Sequence, residues 1–329
     1  MLAVVVHEPG GPEVLQLEEL PTPQAAPGWV LVRVRAFGLN RSELITRAGG
    51  SGAAVRFPRV LGIECAGEVV EAPGTDLRRG ERVIAAMGGM GREFDGGYAQ
   101  YALLPAGSVI PVQTTLDWAR LGAVPESFGT AWGSLDTLSL GRRQALLVRG
   151  ATSSVGMAAI TIAKERKIDV FATTRQERKR TALEAQGADH VIIDDGAVAA
   201  KVREILPEGV DGLLELVGPT ACVDSLKALA PGGRACISGY LEDVWELDAA
   251  QAEAERLQIP LARYGSSVIN VQSYRHVFAK IVRAIEQGRL RGTLDRTFAM
   301  SEIADAHRYM EANEAAGKVV VLTPEGFGA

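Results

Sequence analysis

Hydrophobic and polar residues alternate along Val30–Phe37 (VLVRVRAF), as they do in a strand with one buried face. Val14–Leu20 alternates in the same way, and short apolar runs occur at Leu2–Val6, Arg82–Ala86 and Tyr98–Leu104. Pro58–Val70 reads as a turn leading into a further strand. Pro21-Thr22-Pro23, Pro27-Gly28, Gly74, Gly80 and the glycine-rich loop 88–97 separate these runs. Asn40–Ile45 interrupts them as a short helix behind a capping Asn40. Residues 1–116 are therefore predicted to be all-β, a partly open barrel with Gly/Pro corners.

The period changes near Leu116. Leu116–Leu140 is rich in Ala, Leu, Phe and Trp and reads as helical. Beyond it, strands at 144–150, 169–174, 190–195, 210–217 and 234–240 alternate with helices at 153–167, 176–186, 197–206 and 220–229. That order predicts an α/β fold with a doubly wound parallel sheet. Tyr264–Asn270 is the expected sixth strand. Val271–Gln287 is an amphipathic helix closed by Gly288, and Ser301–Asn313 is a helix capped by Ser301. Lys318–Leu322 is a last strand with no place in the parallel order, so it is expected to return to the β-rich part. The expected domains are 1–116 with 272–329, and 117–271.

Composition narrows the field. The 329 residues exceed one typical core, which agrees with two domains. The net charge of −5 gives no basic footprint for nucleic acid. No apolar run nears the roughly 20 residues of a membrane span, and Met1–Glu8 lacks the basic flank of a secretory signal. Cys65, Cys222 and Cys236 are widely spaced and odd in number, as expected of a cytoplasmic protein without a disulfide framework.

One β-α-β stretch carries candidate chemistry. Gln144–Arg149 is an apolar strand and Gly150–Gly156 (GATSSVG) a turn of small residues. Val155, Ala158, Ala159, Ile162 and Ala163 then form one face of a helix. The open N–H groups at such a helix start suit an anion, and the Ser153 and Ser154 hydroxyls suit a pyrophosphate. With the strand Ile168–Thr174, the unit has the size of a dinucleotide-binding (Rossmann) fold. An NAD site would place an acid at the end of that second strand to hold the ribose 2′-hydroxyl. This chain has Ala172-Thr173-Thr174-Arg175 there, followed closely by Arg178, Lys179 and Arg180. Thr174 and Arg175 fit a 2′-phosphate, so NADPH is expected rather than NADH. Val217 and Gly239 end two further strands, at the edge where parallel sheets bind ligands.

Several short motifs, in one order and spacing, carry a resemblance. They are Phe37–Glu43 (FGLNRSE), Pro58–Gly67 (PRVLGIECAG), Gly129-Thr130-Ala131-Trp132, Gly150–Gly156, Gly187–Ile192, Pro231–Arg234 and Gly317–Val320. Over essentially its whole length the chain resembles the zinc-independent, zeta-crystallin-like quinone oxidoreductases of the medium-chain dehydrogenase/reductase superfamily. The resemblance implies a GroES-like catalytic domain for the β-rich part. It carries over cofactor contacts at Thr130, Ser153, Ser154, Val155, Thr174, Arg175, Lys179, Val217, Gly239 and Tyr240. It places Asn40 as the hydrogen-bond donor to a developing oxyanion, with Ser42 as a second polar contact. Phe94 and Trp132 are candidate walls of an apolar substrate pocket. The chain departs from some relatives at Ile45 and Ser51, and at Asp194, where they carry tyrosines.

In the superfamily's zinc alcohol dehydrogenases, the metal-ligand positions correspond to Asn40, Ile63 and Glu126. A lone carboxylate does not hold a catalytic zinc, which takes three protein ligands, and His7, His190, His276 and His307 lack ligand spacing. No metal is expected. Without a Lewis acid, the expected substrate is a small-molecule electrophile that accepts hydride readily, a quinone or a related activated carbonyl. An enal or enoyl-thioester reductase is the alternative enzyme, with Arg47, Arg56 and Arg92 as candidate contacts for a CoA. A non-catalytic NADPH-binding protein is the alternative of another class. A homodimer is expected through pairing of Tyr264–Asn270 with its two-fold mate.

Overall fold

The computed structural model describes residues 1–241, 244 and 246–326, and the chain divides into two compact units. The first comprises Met1–Gly129, Ser266–Gly288 and the chain from Gly292 onward; the second comprises Thr130–Gly265 and Arg289–Arg291.

The first unit opens with β1 (Leu2–Val6), β2 (Gln16–Glu19), β3 (Trp29–Gly38), α1 (Arg41–Arg47), β4 (Arg59–Val60), β5 (Glu64–Glu71), β6 (Arg82–Ala86), β7 (Tyr101–Pro105), β8 (Val109–Pro111) and α2 (Trp118–Gly122). The helix α3 (Pro125–Leu138) spans the division. The second unit holds β9 (Ala145–Arg149), α4 (Ser154–Glu165), β10 (Asp169–Thr174), α5 (Arg180–Gln186), β11 (His190–Ile193), α6 (Val198–Ile205), β12 (Val210–Glu215), α7 (Pro219–Ser225), β13 (Leu229–Ile237), α8 (Asp248–Leu257) and β14 (Leu261–Arg263). The chain finishes in the first unit with α9 (Val271–Glu286), β15 (Leu294–Ala299), α10 (Ile303–Glu311) and β16 (Lys318–Leu322). The expected divisions after residues 116 and 271 both fall inside the first unit. There α2 packs on β3, β5 and β16, and the Asn270 side chain caps α9.

The first unit has a small sheet, β2-β1-β4, and a larger one in the order β15-β16-β3-β5-β6-β8, with β7 also on β3. β16 runs antiparallel to β3, with Val320 opposite Gly38 and Val321 opposite Phe37. The last strand thus joins the β-rich unit and brings Lys318 to the end of β3. In the core, Phe37 stacks on Tyr98 with ring centroids 4.6 Å apart. The Tyr98 hydroxyl meets His307 Nε2 at 3.1 Å, and Arg47 Nη1 lies 3.0 Å from His307 Nδ1. Burial, then the neighbouring Arg47 cation, push His307 down to about 3, so its ring is neutral.

The second unit is one parallel sheet, β11-β10-β9-β12-β13-β14, with a reversal of strand order between β9 and β12. β9 is buried throughout, as a central parallel strand is. Its sixth strand is β14, not Tyr264–Asn270. Ser266–Val268 is a helical turn, and the Asn270 side chain accepts the Ser273 N–H at the start of α9. Those residues are the approach to a helix rather than a strand. Likewise Val14 ends a short helical turn ahead of β2. Glu302, not Ser301, closes the start of the last helical segment, by accepting the Ala299 N–H at 2.7 Å. Among the described residues no helix is long and apolar enough to cross a membrane, and Cys65, Cys222 and Cys236 are buried without a disulfide.

Candidate active site and nucleotide cradle

In the first unit the chain leaves β3 and enters α1 through Asn40, whose backbone is extended. Its side chain does not cap the helix. Lys318 Nζ donates to Asn40 Oδ1 at 2.6 Å, which fixes the amide's orientation. Asn40 Nδ2 then donates to Glu64 Oε1 at 2.9 Å and to Glu43 Oε1 at 3.2 Å. Lys318 also pairs with Glu64, both side chains being 0% exposed. Glu64 Oε2 accepts the Glu126 N–H at 2.8 Å, so the positive end of α3 faces the same carboxylate. Glu43 Oε1 also accepts the Ile63 N–H at 3.2 Å, and Glu43 Oε2 lies 3.0 Å from Ser42 Oγ. Burial pushes the Glu43 carboxyl up, against Lys318, the Asn40 amide and the Ile63 N–H, which draw it down. Gly38 makes room for the pair: a Cβ there would lie 2.3 Å from Lys318 Cε and 2.5 Å from Glu64 Oε1. Asn40 and Ser42 are the partly exposed members of this cluster.

In the second unit, β9 passes through Gly150 into α4. Ser153 accepts the Gly156 N–H at 3.1 Å and donates to Gly150 O at 2.8 Å, so its hydroxyl shapes the turn. The N–H groups of Ser154 and Val155 occupy the first turn, where a helix has no acceptors of its own to offer. At the end of β10, Thr174 Oγ1 accepts the Gln176 N–H at 3.2 Å and is buried. Arg175 is exposed and forms no hydrogen bond or ion pair among the described residues. Lys179 is buried, while Arg180 is held by Glu177 at 2.5 Å. Val217 donates its N–H to Glu215 Oε1 at 2.8 Å. Gly239 passes so close to β12 that a Cβ would lie 2.1 Å from Leu216 O. Tyr240 lies under the Arg263 guanidinium, 5.1 Å from its ring centre. Ser134 Oγ donates to Thr130 O at 2.7 Å and meets Ser238 Oγ at 2.7 Å.

Asp194, which the resemblance set against a tyrosine of some relatives, is bound by a buried arginine. Arg149 donates to its two oxygens at 2.8 and 2.9 Å, and to Ala221 O, Asp224 and Ser225. Asp194 therefore brings no unpaired negative charge to this edge. Beside it, burial pushes the Glu215 carboxyl up to about 7, against Ser225, Arg149 and the Val217 and Gly218 N–H groups.

Residues 26–114 match the alcohol dehydrogenase GroES-like domain, and residues 186–321 match the zinc-binding dehydrogenases. The quinone oxidoreductase of Lama guanicoe is 28% identical over 330 residues, 98% of this chain and 97% of its own. A phenolphthiocerol/phthiocerol polyketide synthase chain of Mycobacterium tuberculosis is 29% identical over 97% of this chain and 15% of its own length. A mycobacterial protein solved in complex with NADPH has a TM-score of 0.88 at 25% identity, covering 98% of this chain and 100% of its own. The chain belongs to the medium-chain dehydrogenase/reductase superfamily. Within it, the full-length similarity is to quinone oxidoreductases, and the protein is an oxidoreductase that uses a nicotinamide cofactor.

This member's residues do not fit the superfamily's catalytic zinc. Asn40 has both amide hydrogens engaged, Ile63 is hydrocarbon, and the Lys318 ammonium stands among Asn40 and Glu64. Among the described residues no group of three His, Cys, Asp or Glu could hold a metal ion. The residues present do fit a dinucleotide: open N–H groups at Ser154 and Val155, a close strand approach at Gly239 and a cation at Arg175, all at the carboxyl edge of the sheet.

The remaining expected residues have other partners. Phe94 packs edge-on against Trp29 at 5.4 Å and borders the first unit's core. Trp132, in the second unit, lies 4.7 Å from the Arg166 guanidinium. Arg47 is 3% exposed and bound by Gly10, His307 and Glu311, so it does not offer its charge to a CoA. Glu64, Lys318 and Arg149 were not singled out from the sequence as site residues, although two of them lie within its matching motifs. The available signal was a charged residue at the start or end of an otherwise apolar strand.

Proposed function

We propose that the protein is an NADPH-dependent, zinc-independent reductase that transfers hydride to quinones or related activated carbonyl compounds. The observation that carries the cofactor reading is Arg175, an unpaired exposed cation at the end of β10, beside Thr174 and with no acid in the ribose-binding position. The mycobacterial neighbour bound to NADPH supports it. NADPH supplies the hydride when bound. The chain's part is to hold the pyrophosphate at Ser153, Ser154 and Val155 and the 2′-phosphate at Thr174, Arg175 and Lys179. Thr130, Val217, Gly239 and Tyr240 complete the contacts. Asn40 and Ser42 face the acceptor's oxygen, with Phe94 and Trp132 assigned to apolar parts of the substrate. For Asn40 to donate, one of its two bonds to Glu43 and Glu64 must give way, and for Ser42 to donate its hydroxyl must turn from Glu43 Oε2.

Similarity to a polyketide synthase favours a second reading, an enal or enoyl-thioester reductase. NADPH oxidation measured with 1,4-benzoquinone, 9,10-phenanthrenequinone and an aliphatic enal separates the two. Quinone turnover supports the first, enal turnover alone the second, and no turnover with any acceptor a non-catalytic NADPH-binding protein.

We also assign the protein to the cytoplasm and to a homodimer formed at β14, the last strand of its sheet among the described residues. Light scattering at monomer mass would refute the dimer.

A further inference from the structure

We infer that Glu43 is the proton reservoir for the reduction and delivers its proton to the acceptor's oxygen through the Ser42 hydroxyl. The inference rests on the reductase reading above. It starts from a charge imbalance. Glu43, Glu64 and Lys318 share one cluster and are 1%, 0% and 0% exposed. One ammonium neutralises one carboxylate. Lys318 is in contact with Glu64, and the first turn of α3 donates to the same group, so Glu64 holds the negative charge. A second buried carboxylate would be an unpaired charge, which costs several kcal/mol, so the group neutralises instead. Glu43 therefore carries a proton, in keeping with the upward push of burial on its carboxyl.

The hydrogen bonds also say which oxygen carries it. Glu43 Oε1 faces two N–H donors, Asn40 Nδ2 and the Ile63 N–H, neither of which accepts a proton. Glu43 Oε2 accepts from Ser42 Oγ at 3.0 Å when it is ionised, and because a hydroxyl also accepts, the same contact reverses when Oε2 carries the proton. Tyr98 also feels Glu43. Burial, then the two glutamates, hold its hydroxyl well above the ordinary range, so it keeps its own proton. Ser42 is partly exposed, and so links the buried acid to the outside.

The proton balance is simple. Reduction takes one hydride and one proton. Once hydride is accepted, the acceptor carries an oxyanion. The Ser42 O–H bond breaks as the product O–H forms, and the Glu43 O–H breaks as Ser42 is reprotonated. Glu43 is left as a carboxylate and recovers its proton from water through Ser42 after product leaves. Glu43 acts only through Ser42, which is the group that touches the acceptor.

The test has two arms. Infrared spectra of the cofactor-free protein at pH 7, in H2O and D2O, read the proton directly. A protonated-carboxyl C=O band is expected that shifts in D2O, survives Glu215→Gln and is lost in Glu43→Gln. If Glu43→Gln does not fold, Ser42→Ala serves instead, because removing the hydroxyl moves the same band. The second arm is quinone reduction across pH. Ser42→Ala should lower kcat about 10²-fold with KM little changed, and Ser42→Thr should restore it. The wild-type fall in kcat at alkaline pH should vanish in Ser42→Ala. Turnover without the carboxyl band, or full turnover by Ser42→Ala, overturns the reservoir. A band in a protein that reduces no acceptor overturns the reductase reading, and the relay with it.

Discussion

Lys318 Nζ donates to Asn40 Oδ1 at 2.6 Å, joining residues 278 positions apart in the sequence. The same ammonium is the counter-ion of Glu64, so a strand near the end of the chain sets both the charge and the amide orientation at the start of α1. Replacing Lys318 by Met leaves Glu64 buried without a cation. Loss of one partner of a buried pair costs about 3–5 kcal/mol. Urea unfolding should show a destabilisation of that size, and Lys318→Met with Glu64→Gln should recover much of it. Equal losses in the single and double variants would refute the pairing.

Gly38 is predicted to be intolerant for reasons of space alone. An added methyl at 2.3 Å from Lys318 Cε forces the pair apart. Overpacking of this kind costs about 1–3 kcal/mol. Gly38→Ala should lower Tm, and should lower quinone turnover more than NADPH affinity. An unchanged Tm would show that the pair has room to move.

Arg175 tests the cofactor reading. A charge-assisted hydrogen bond contributes about 1.5–3 kcal/mol, a factor of roughly 10 to 10² in affinity. Nicotinamide fluorescence titration of Arg175→Ala should show NADPH weakened by that factor and NADH almost unchanged. An equal loss for both would place Arg175 away from the 2′-phosphate.

Glu215 makes the stability depend on pH. Its ordinary value of 4.5 is raised to about 7 in the folded protein. Between those values the folded form binds a proton that the unfolded form has released. The stabilisation is therefore full below 4.5 and is lost as pH rises through 7, about 3 kcal/mol in all. His307, held neutral in the fold, contributes the opposite slope below pH 6.5 in both proteins, so calorimetry from pH 5 to 8 should show Tm rising more, or falling less, with pH in Glu215→Gln than in the wild type. A slope unchanged in Glu215→Gln would assign it to another group.

Much of this architecture was legible in the sequence, and the misses have physical causes. β6 and β16 follow the expected bounds, because short apolar runs between Gly or polar breaks leave little choice of register. The turn at Gly150 and the strand end at Thr174 were read for the same reason. β15 went unread because Asp295, Arg296 and Thr297 interrupt it, and it is held by pairing with β16 instead of by its own pattern. Tyr264–Asn270 has strand-like composition, yet Asn270 caps α9, and a local cap outcompetes a weak strand preference. Asn40 shows the limit most clearly. Its residue type suggests a cap and its place suggests a donor, but its partners Glu64 and Lys318 come from two other strands. Nor does local pattern reveal that Asp194 is neutralised by Arg149, since that pair joins the ends of two strands 45 residues apart.

The most direct test is cofactor choice and turnover in one preparation. The protein is treated with chelator, titrated with NADPH and NADH by nicotinamide fluorescence, and then given 1,4-benzoquinone. Tighter binding of NADPH and quinone-dependent NADPH oxidation that survives the chelator are the expected results. A preference for NADH, or turnover that chelator abolishes and zinc restores, would contradict the account.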